Sequence, residues 1–321
     1  MRDRDLEAWQ SKAQAGTDAL PPWYPAWRCM SIAVLAALLL LTAIASWAEV
    51  PASSPAASLR AQYTLMQGRL VATPFAQPLV LESKEASGRE QGEIHAIVNY
   101  PFATVTSALG DTAHWCDILI LHLNVKYCRP VTHAGGTALS VAIGRKYDQP
   151  LGDAFRLELD CRVVAAASDY VAVELESAKG PFGTTNYRIT LEAVALAPGR
   201  SFLHLRYSYQ YGLEAQLAMD AYLATGGSGK VGFTRVDAPD ERESRYIGGV
   251  RGVVERNTMR YFLAIDAYLA ALAAPPAQRL DVSLDRWYGA TERYPRQLHE
   301  VDRETYLAMK RREYQRQQTP L

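Results

Sequence analysis

The sequence predicts an α+β domain in which a curved antiparallel sheet holds one long helix. The helix is indicated by the segment 250–274, where apolar side chains recur at spacings of three, four and seven while charged side chains occupy the other angles. The sheet is indicated by a series of segments, between 139 and 211, in which apolar and polar residues alternate. Because such strands have one apolar face, we expect the long helix to cover that face.

The composition is typical of a folded protein and argues against a nucleic-acid binder. Of its 321 residues, 49% are hydrophobic, which is ample for the core of one large domain or two small ones. Lys and Arg number 34, as do Asp and Glu, so there is no basic excess of the kind that nucleic-acid binding requires.

An uncharged run lies near the N-terminus and predicts export. It extends from Cys29 to Ala48, follows Arg28, and ends in the small-x-small pattern Ser46-Trp47-Ala48 that signal peptidases cleave. Its 20 residues are also enough to span a bilayer as an uncleaved anchor. Both alternatives stay open, and both place the body from Glu49 onward outside the cytoplasm. We therefore expect a bacterial cell-envelope protein, periplasmic and either soluble after cleavage or held at the inner membrane.

Three cysteines follow this run, and an oxidising compartment favours a disulfide between two of them. Cys116 and Cys128 are the best candidates, because they lie 12 residues apart on either side of a short apolar element. Cys161 shares the apolar phase of its strand with Leu159, which favours a buried, unreactive thiol.

Before the alternating strands, the elements are shorter. Residues 49–78 read as a proline-containing linker and a short helix from Leu59 to Leu70, capped by Ser58. Leu79 to Lys84 and Gly92 to Asn99 predict a hairpin around a polar turn. A short helix opens at Pro101 and is interrupted at Gly110, and the periodicity of 116–125 does not distinguish strand from helix.

Each of the alternating strands has apolar residues on one face and mostly polar residues on the other. The apolar positions are Leu139, Val141 and Ile143; Phe155, Leu157, Leu159, Cys161 and Val163; Val171, Val173 and Leu175; Tyr187, Ile189, Leu191 and Ala193; and Leu203, Leu205, Tyr207, Tyr209 and Tyr211. A short helix from Leu213 to Ala224 and a last strand from Lys230 to Val236 complete this region. Pro275 and Pro276 end the long helix, and from Asp302 the remaining segment predicts a polar, exposed helix.

This order of elements resembles the helix-grip fold of START-like domains. The resemblance covers residues 79–274 and is carried by IHAIVNYPFATVTSALGDTAHWCDILILHLNVKYC, a strand running through a proline into an early helix pair, and by GGVRGVVERNTMRYFLAIDAYL, the gripped helix. The predicted domains are 1–48 (export signal or anchor), 49–78 (linker and short helix), 79–274 (START-like domain) and 275–321 (C-terminal extension).

The resemblance implies an apolar cavity between sheet and helix, with no shared catalytic set and no cofactor. The phases of the strands and helix place ten residues toward it: Tyr187, Ile189, Leu191, Leu203, Leu205, Tyr207, Tyr209, Tyr261, Ile265 and Tyr268. The five tyrosines are amphipathic, and their hydroxyls need partners that a ligand or water could supply. A solid core is the alternative, and the sequence leaves hollow and solid open.

Other chemical motifs fail their templates. His114, His122 and His133 have spacings that match no metal-binding pattern, so no metal site is predicted. The loop Gly226 to Lys230 lacks the Ser or Thr that a P-loop needs after the lysine. His204 and Arg206 lie on the face of the strand opposite to the tyrosines. They would point inward only if the tyrosine face were the outer one.

The sequence therefore predicts a cell-envelope domain that binds a lipid or another hydrophobic small molecule, without catalysis. A cyclase- or hydrolase-type enzyme using the same cavity is one alternative; it would require inward ionisable groups, and His204 is the first to test. A structural envelope protein with a filled core is the other. Association with a membrane is expected only through residues 29–48, and no nucleic-acid partner is expected.

Overall fold

The computed structural model describes residues 54–86, 88–133, 136–213, 216–217, 219, 229–236 and 245–319. Residues 53–321 form one compact unit. Its main element is an eight-stranded antiparallel sheet with the order β1-β2-β8-β7-β6-β5-β4-β3. The strands are β1 (Leu79–Ala86), β2 (Arg89–Val98), β3 (Val125–His133), β4 (Gly136–Ile143), β5 (Phe155–Ala166), β6 (Tyr170–Lys179), β7 (Thr184–Ala195) and β8 (Ser201–Tyr211).

The strands follow the predicted phases. The β1–β2 hairpin forms around the polar turn, and Leu157, Leu159 and Cys161 of β5 are buried between exposed charged residues. Phe155 and Val163, at the two ends of the β5 pattern, are more than one third exposed. The predicted α+β fold class is confirmed: the curved antiparallel sheet lies against a long helix.

The seven helices that we number are α1 (Pro55–Val71), α2 (Phe102–Leu109), α3 (Trp115–Leu119), α4 (Gly249–Ala271), α5 (Arg279–Thr291), α6 (Pro295–Leu298) and α7 (Arg303–Gln317). The long helix α4 lies across the inner face of the sheet. It comes closest to β2 at Gly92, where an added Cβ would collide with the side chain of Thr258. A residue without a side chain is therefore needed at this crossing.

Helix α4 is buried on almost every side, which corrects the prediction of one polar face. Glu255, Arg256 and Arg260 are 0%, 2% and 1% exposed. Glu255 and Arg260 form hydrogen bonds or ion pairs with segments that are distant in sequence. Glu255 accepts hydrogen bonds from Phe233 N and Thr234 N at 2.6 and 2.9 Å. Charged side chains that the helical pattern placed toward solvent are thus buried. Glu255 contacts the 230–236 segment, and Arg260 contacts Glu300 of the C-terminal extension.

The outer face of the sheet is also covered in part, which the alternation did not predict. Helix α1, capped by Ser54 rather than by Ser58, packs there. A second core cluster joins the helix to the sheet through Leu59, Leu70, Val80, Tyr170, Val194 and Phe202. Tyr170, which alternation places on the face opposite to Val171 and Val173, is only 7% exposed.

Between β2 and β3 the chain forms α2, a single 3₁₀ turn and α3. The apolar run that begins at Cys116, whose periodicity fitted both strand and helix, is therefore helical at its start. Cys116 on α3 is disulfide-bonded to Cys128 on β3, with Cα atoms 5.1 Å apart. The predicted pairing is confirmed. Cys161 is buried, and this burial raises the pKa of its thiol to about 12, as expected for an unreactive cysteine.

The C-terminal extension packs onto the domain. Helix α5 lies against α4, and α7 lies against the edge strand β3. The predicted exposed helix is therefore wrong on one side of α7, because Lys310 and Glu313 are fully buried. Glu313 forms ion pairs with Lys126 of β3 at 3.0 Å and with Lys310 at 2.6 Å.

Some predicted segments lie wholly or mostly outside the described residues. These are the export signal or anchor at 1–48 and the helix at 213–224. Of the predicted strand 230–236, Arg235–Val236 pairs with Arg245–Tyr246 in a separate two-stranded sheet, and 230–234 is irregular. Within the described part of the chain, we find no helix of the length and hydrophobicity needed to cross a membrane.

Candidate functional site

Four tyrosines meet between the inner face of the sheet and α4, and we call them the tyrosine cluster: Tyr187, Tyr207, Tyr209 and Tyr261. Tyr187 lies on β7 and Tyr207 and Tyr209 on β8, where the period-two alternation directs them inward. The ring of Tyr207 lies 5.2, 5.6 and 5.3 Å, between centroids, from those of Tyr187, Tyr209 and Tyr261. These are tilted and edge contacts of the favourable kind.

The tyrosine hydroxyls join the sheet to the helix. The hydroxyls of Tyr187 and Tyr261 lie 2.6 Å apart and share a hydrogen bond. Burial raises the pKa of Tyr261 to about 12, and the pKa of Tyr187 is also raised by burial, so both hydroxyls stay protonated near neutral pH. The cluster is thus a neutral polar centre in an apolar interior.

Glu90 on β2 extends this centre. Its side chain shares the inner phase of Ile94 and Ala96, and the residue is 0% exposed. Glu90 is the direct register partner of Tyr209, and its Oε1 accepts a hydrogen bond from Tyr211 at 3.4 Å. Burial, with a smaller contribution from the charge of Glu85, raises the pKa of Glu90 to about 7.

Two polar atoms of this register pair are buried without a hydrogen-bond partner. They are Oε2 of Glu90 and the hydroxyl oxygen of Tyr209. A buried polar atom that lacks a partner costs about 1–3 kcal/mol, so a hydrogen bond from a ligand or an ordered water to either atom would stabilise the protein. The pair lies at one end of the tyrosine cluster, since Tyr209 contacts Tyr207.

His122 lies on the helix side of the cluster. Its ring is 4.9 Å from that of Tyr261, its Nδ1 accepts the backbone N–H of Asn124 at 3.1 Å, and its Nε2 is buried without a partner. Burial and the charges of Arg260 and Lys310 lower the pKa of His122, so the ring is neutral. A neutral imidazole offers a second hydrogen-bonding position beside the tyrosines.

All ten residues predicted to line a cavity are buried in the same core cluster. Four of them form the tyrosine cluster, and five are aliphatic: Ile189, Leu191, Leu203, Leu205 and Ile265. Tyr268 lies apart from the other tyrosines and contacts the ring of His114, with centroids 5.8 Å apart. The tyrosine rings pack against one another, so their own side chains occupy the space between β8 and α4. A role of these ten residues in ligand binding stays a prediction.

The sequence analysis missed Glu90 and His122. Glu90 was placed in the polar turn, although it continues the inner phase of the strand through Gly92, Ile94, Ala96 and Val98, a signal that could have found it. His122 was weighed only for its spacing to other histidines. No local pattern identifies it, because its burial depends on α4 and α7.

His204 and Arg206 point to the outer face, as their phase predicted. His204 is 3% exposed, and its two ring nitrogens lie 3.0 and 3.2 Å from carboxylate oxygens of Glu192 and Glu93. Although burial opposes it, these two hydrogen bonds raise the pKa of His204. His204 therefore does not reach the tyrosine cluster, whereas the carboxyl group of Glu90 lies beside it.

Comparison with known proteins found likenesses in structure alone. No family model matches the sequence, and no curated protein matches it. Ara h 8.0201 is 13% identical, with a TM-score of 0.35, over 57% of this chain and 99% of its own. Human StAR-related lipid transfer protein 5 is 11% identical, with a TM-score of 0.30, over 52% and 90%. Norcoclaurine synthase from Thalictrum flavum is 14% identical, with a TM-score of 0.31, over 46% and 88%.

Since these identities and TM-scores are low, the fold assignment rests on the strand order and on the position of α4. The antiparallel sheet and the long helix against it were predicted from the sequence, and the structure adds the strand order. The fold of this chain is the helix grip, in which an eight-stranded antiparallel sheet encloses one long helix.

Proposed function

We propose that this chain is a cell-envelope domain that binds a lipid or another apolar small molecule between the inner face of the sheet and α4. The ligand's polar end, a hydroxyl or carbonyl group, would bond to Glu90 and Tyr209. The observation that carries the proposal is the pair of buried, unpartnered polar atoms on these two residues.

The energetics favour a ligand with one polar end and an apolar body. A hydroxyl group at the pair would accept from Tyr209 and donate to Glu90, relieving two unsatisfied groups at once. The rest of the molecule would lie along the aliphatic residues of β7 and β8, and its burial would contribute about 25 cal/mol per Å² of apolar surface. Affinity would then come from burial, and orientation from the polar pair.

Entry of such a ligand requires the interior to open. Because the tyrosine rings contact one another, a ligand must separate α4 from the sheet at the hydrogen bond between Tyr187 and Tyr261. That separation breaks this hydrogen bond and also parts the apolar side chains that pack between α4 and the sheet. The apolar body of the ligand would have to replace those contacts.

A location outside the cytoplasm is part of the proposal. It is supported by the disulfide between Cys116 and Cys128, a bond that forms in oxidising compartments. Because both cysteines are buried in the fold, the test is to acidify intact cells, unfold the protein in denaturant and only then alkylate its free thiols. Protection of Cys116 and Cys128 under these conditions supports the location, and their alkylation contradicts it.

The binding test is native mass spectrometry of the full-length chain, isolated from cells in mild detergent, followed by organic extraction of what the protein releases. We expect one stoichiometric lipid-like molecule per chain, and a reduced amount in Tyr209→Phe, which removes one polar contact. The exposed Tyr147 supplies the control, as Tyr147→Phe should retain the ligand. A clean unliganded mass that survives incubation with lipid extracts would leave the filled-core alternative in place.

The enzyme alternative is supported by one feature, the pKa of Glu90. A carboxyl group with a pKa of about 7 is suited to proton transfer at neutral pH. An enzyme would convert the extracted ligand, whereas a binding protein would return it unchanged. Incubating the protein with its own extracted ligand and comparing the masses before and after separates the two functions.

A further inference from the structure

A histidine pair lies on the outer face of the sheet, away from the tyrosine cluster. His95 of β2 and His204 of β8 are direct register partners, and their rings stack with centroids 4.2 Å apart. The two residues are 2% and 3% exposed. Glu93 lies two residues before His95 on the same face, since side chains at i and i+2 of a strand point the same way.

These three residues bring metal-binding atoms together. One nitrogen of each histidine and one carboxylate oxygen of Glu93 lie within 4.8 Å of one another. Nδ1 of His95 is buried without a hydrogen-bond partner, an unusual state for an imidazole that is almost completely buried. The stacked pair is held in place from α1, because His95 also stacks on Phe202, which contacts Tyr63 of that helix.

We propose that Glu93, His95 and His204 form a binding site for a divalent transition-metal ion, with Zn²⁺ as the ion that two imidazoles and a carboxylate suit best. Imidazole nitrogen and carboxylate oxygen are common zinc ligands, and three protein ligands leave a position for water. The site is independent of the ligand proposed for the inner face.

The surrounding groups fit this role. Nδ1 of His204 lies 3.0 Å from Glu192, which would orient the ring and leave Nε2 for the metal, as carboxylates behind metal-binding histidines commonly do. Arg206 donates to Oε1 of Glu93 at 3.3 Å, and Oε2 lies 3.2 Å from Nε2 of His204, so an ion bound there would replace this second hydrogen bond. Glu192 and Arg206, which contact His204 and Glu93, are about one third exposed, so the site lies close to solvent.

Binding requires local rearrangement. The two imidazole planes differ by 8°, and lone pairs in parallel planes do not converge on one ion. At least one ring must therefore turn. The ion would also displace the proton that His204 shares with Glu93, so that one M²⁺ binds and one proton leaves to solvent.

The test is equilibrium dialysis of the full-length, chelator-treated protein against ZnCl₂ alone. We expect one tightly held ion per chain, and a loss of affinity of about 100-fold or more in His95→Gln and in His204→Gln. His133→Gln is the matched control, because His133 lies near Asp160 in an exposed position and should not change the affinity. No bound zinc, or zinc that both variants retain with unchanged affinity, overturns the proposal.

Glu192 is assigned a positioning role, which needs a different readout. Glu192→Gln should weaken zinc binding by about 10–100-fold and should shift the visible absorption of the Co²⁺-substituted protein, since the ring of His204 is no longer fixed. An affinity and a Co²⁺ spectrum equal to those of the unmodified protein would remove Glu192 from the site.

Because substitutions of buried histidines can impair folding, one measurement uses the unmodified chain. X-ray absorption at the zinc edge should show two imidazoles and at least one oxygen in the first coordination shell. A shell with one imidazole or none, or with sulfur, overturns the proposal whatever the variants do.

Discussion

The hydroxyl of Tyr187 on the sheet lies 2.6 Å from the hydroxyl of Tyr261 on α4, and the two side chains form a buried polar link between the gripped helix and the strands around it. Replacing Tyr261 by Phe removes this link, and the buried hydroxyl of Tyr187 loses the hydrogen bond that it shares with Tyr261. We expect the free energy of unfolding to fall by about 1 kcal/mol. Urea denaturation followed by fluorescence measures it, and Tyr147→Phe, at a residue that is 53% exposed, should change it by less than about 0.5 kcal/mol.

Gly92 sets the distance between β2 and α4. In Gly92→Ala, the new Cβ would lie 3.1 Å from Cβ of Thr258 and closer still to its hydroxyl, so α4 must move outward. We expect a loss of about 1–3 kcal/mol, as for other overpacked cores. Thermal unfolding tests this.

The matched control for this substitution is Gly68→Ala in α1. No atom lies within 4 Å of the added Cβ there, and alanine favours a helix interior over glycine by about 1 kcal/mol. The control should therefore raise the melting temperature. Equal effects of the two substitutions would contradict the close approach at Gly92.

Much of this fold could be predicted from the sequence, because it is encoded in local periodicity. The phases of Tyr187, Tyr207 and Tyr209 follow from alternation, and that of Tyr261 from helical spacing. The burial of Glu255, Arg260 and Lys310 could not be predicted in this way. Charged side chains are usually exposed, and these are buried only because partners from distant segments reach them.

The same limit applies to the sites. His95 and His204 are adjacent in the sheet but 109 residues apart in the chain, so no motif spacing could join them. Glu90 and Tyr209 likewise meet through the register of β2 and β8. The register between strands that are distant in sequence depends on the whole sheet, so it cannot be predicted from the local patterns of a single sequence.

Glu313 is the only acidic group among the described residues that forms an ion pair with Lys126 or Lys310. In Glu313→Gln, two ammonium groups would remain buried without an anion, and we expect a loss of about 3–5 kcal/mol. Denaturation in urea at neutral pH measures this loss.

An exposed ion pair between α7 and α5 provides a control for Glu313→Gln. Asp281→Asn breaks the pair between Arg311 and Asp281 at 2.8 Å, whose side chains are 50% and 58% exposed. Exposed pairs contribute between 0 and about 1 kcal/mol, so little change is expected. A comparable loss in both variants would show that burial does not set the energy of the Glu313 pairs.

Glu90 should make stability depend on pH. Its pKa is about 7 in the folded protein and 4.5 in the unfolded chain, so the folded state binds more protons between these values. The stability that Glu90 contributes is therefore complete below pH 4.5 and is lost as the pH rises through 7.

Glu90→Gln keeps the shape of the side chain without its charge. Relative to this variant, we expect the unmodified protein to become less stable from pH 4.5 to pH 8, by at most about 3 kcal/mol. The free energies of unfolding of both proteins, measured across this range, give the difference. Parallel curves would contradict a raised pKa, and a divergence of the opposite sign would indicate a lowered one.

The burial of Glu313 against Lys126 has a consequence for the time course of folding. These two residues are 187 positions apart, so during synthesis the edge of the sheet at β3 has no covering helix until the ribosome has added these further residues. Contacts over such separations form slowly, and an uncovered edge strand can pair with other chains in the meantime. The position of α7 therefore lengthens the interval in which the β3 edge can make such contacts during synthesis.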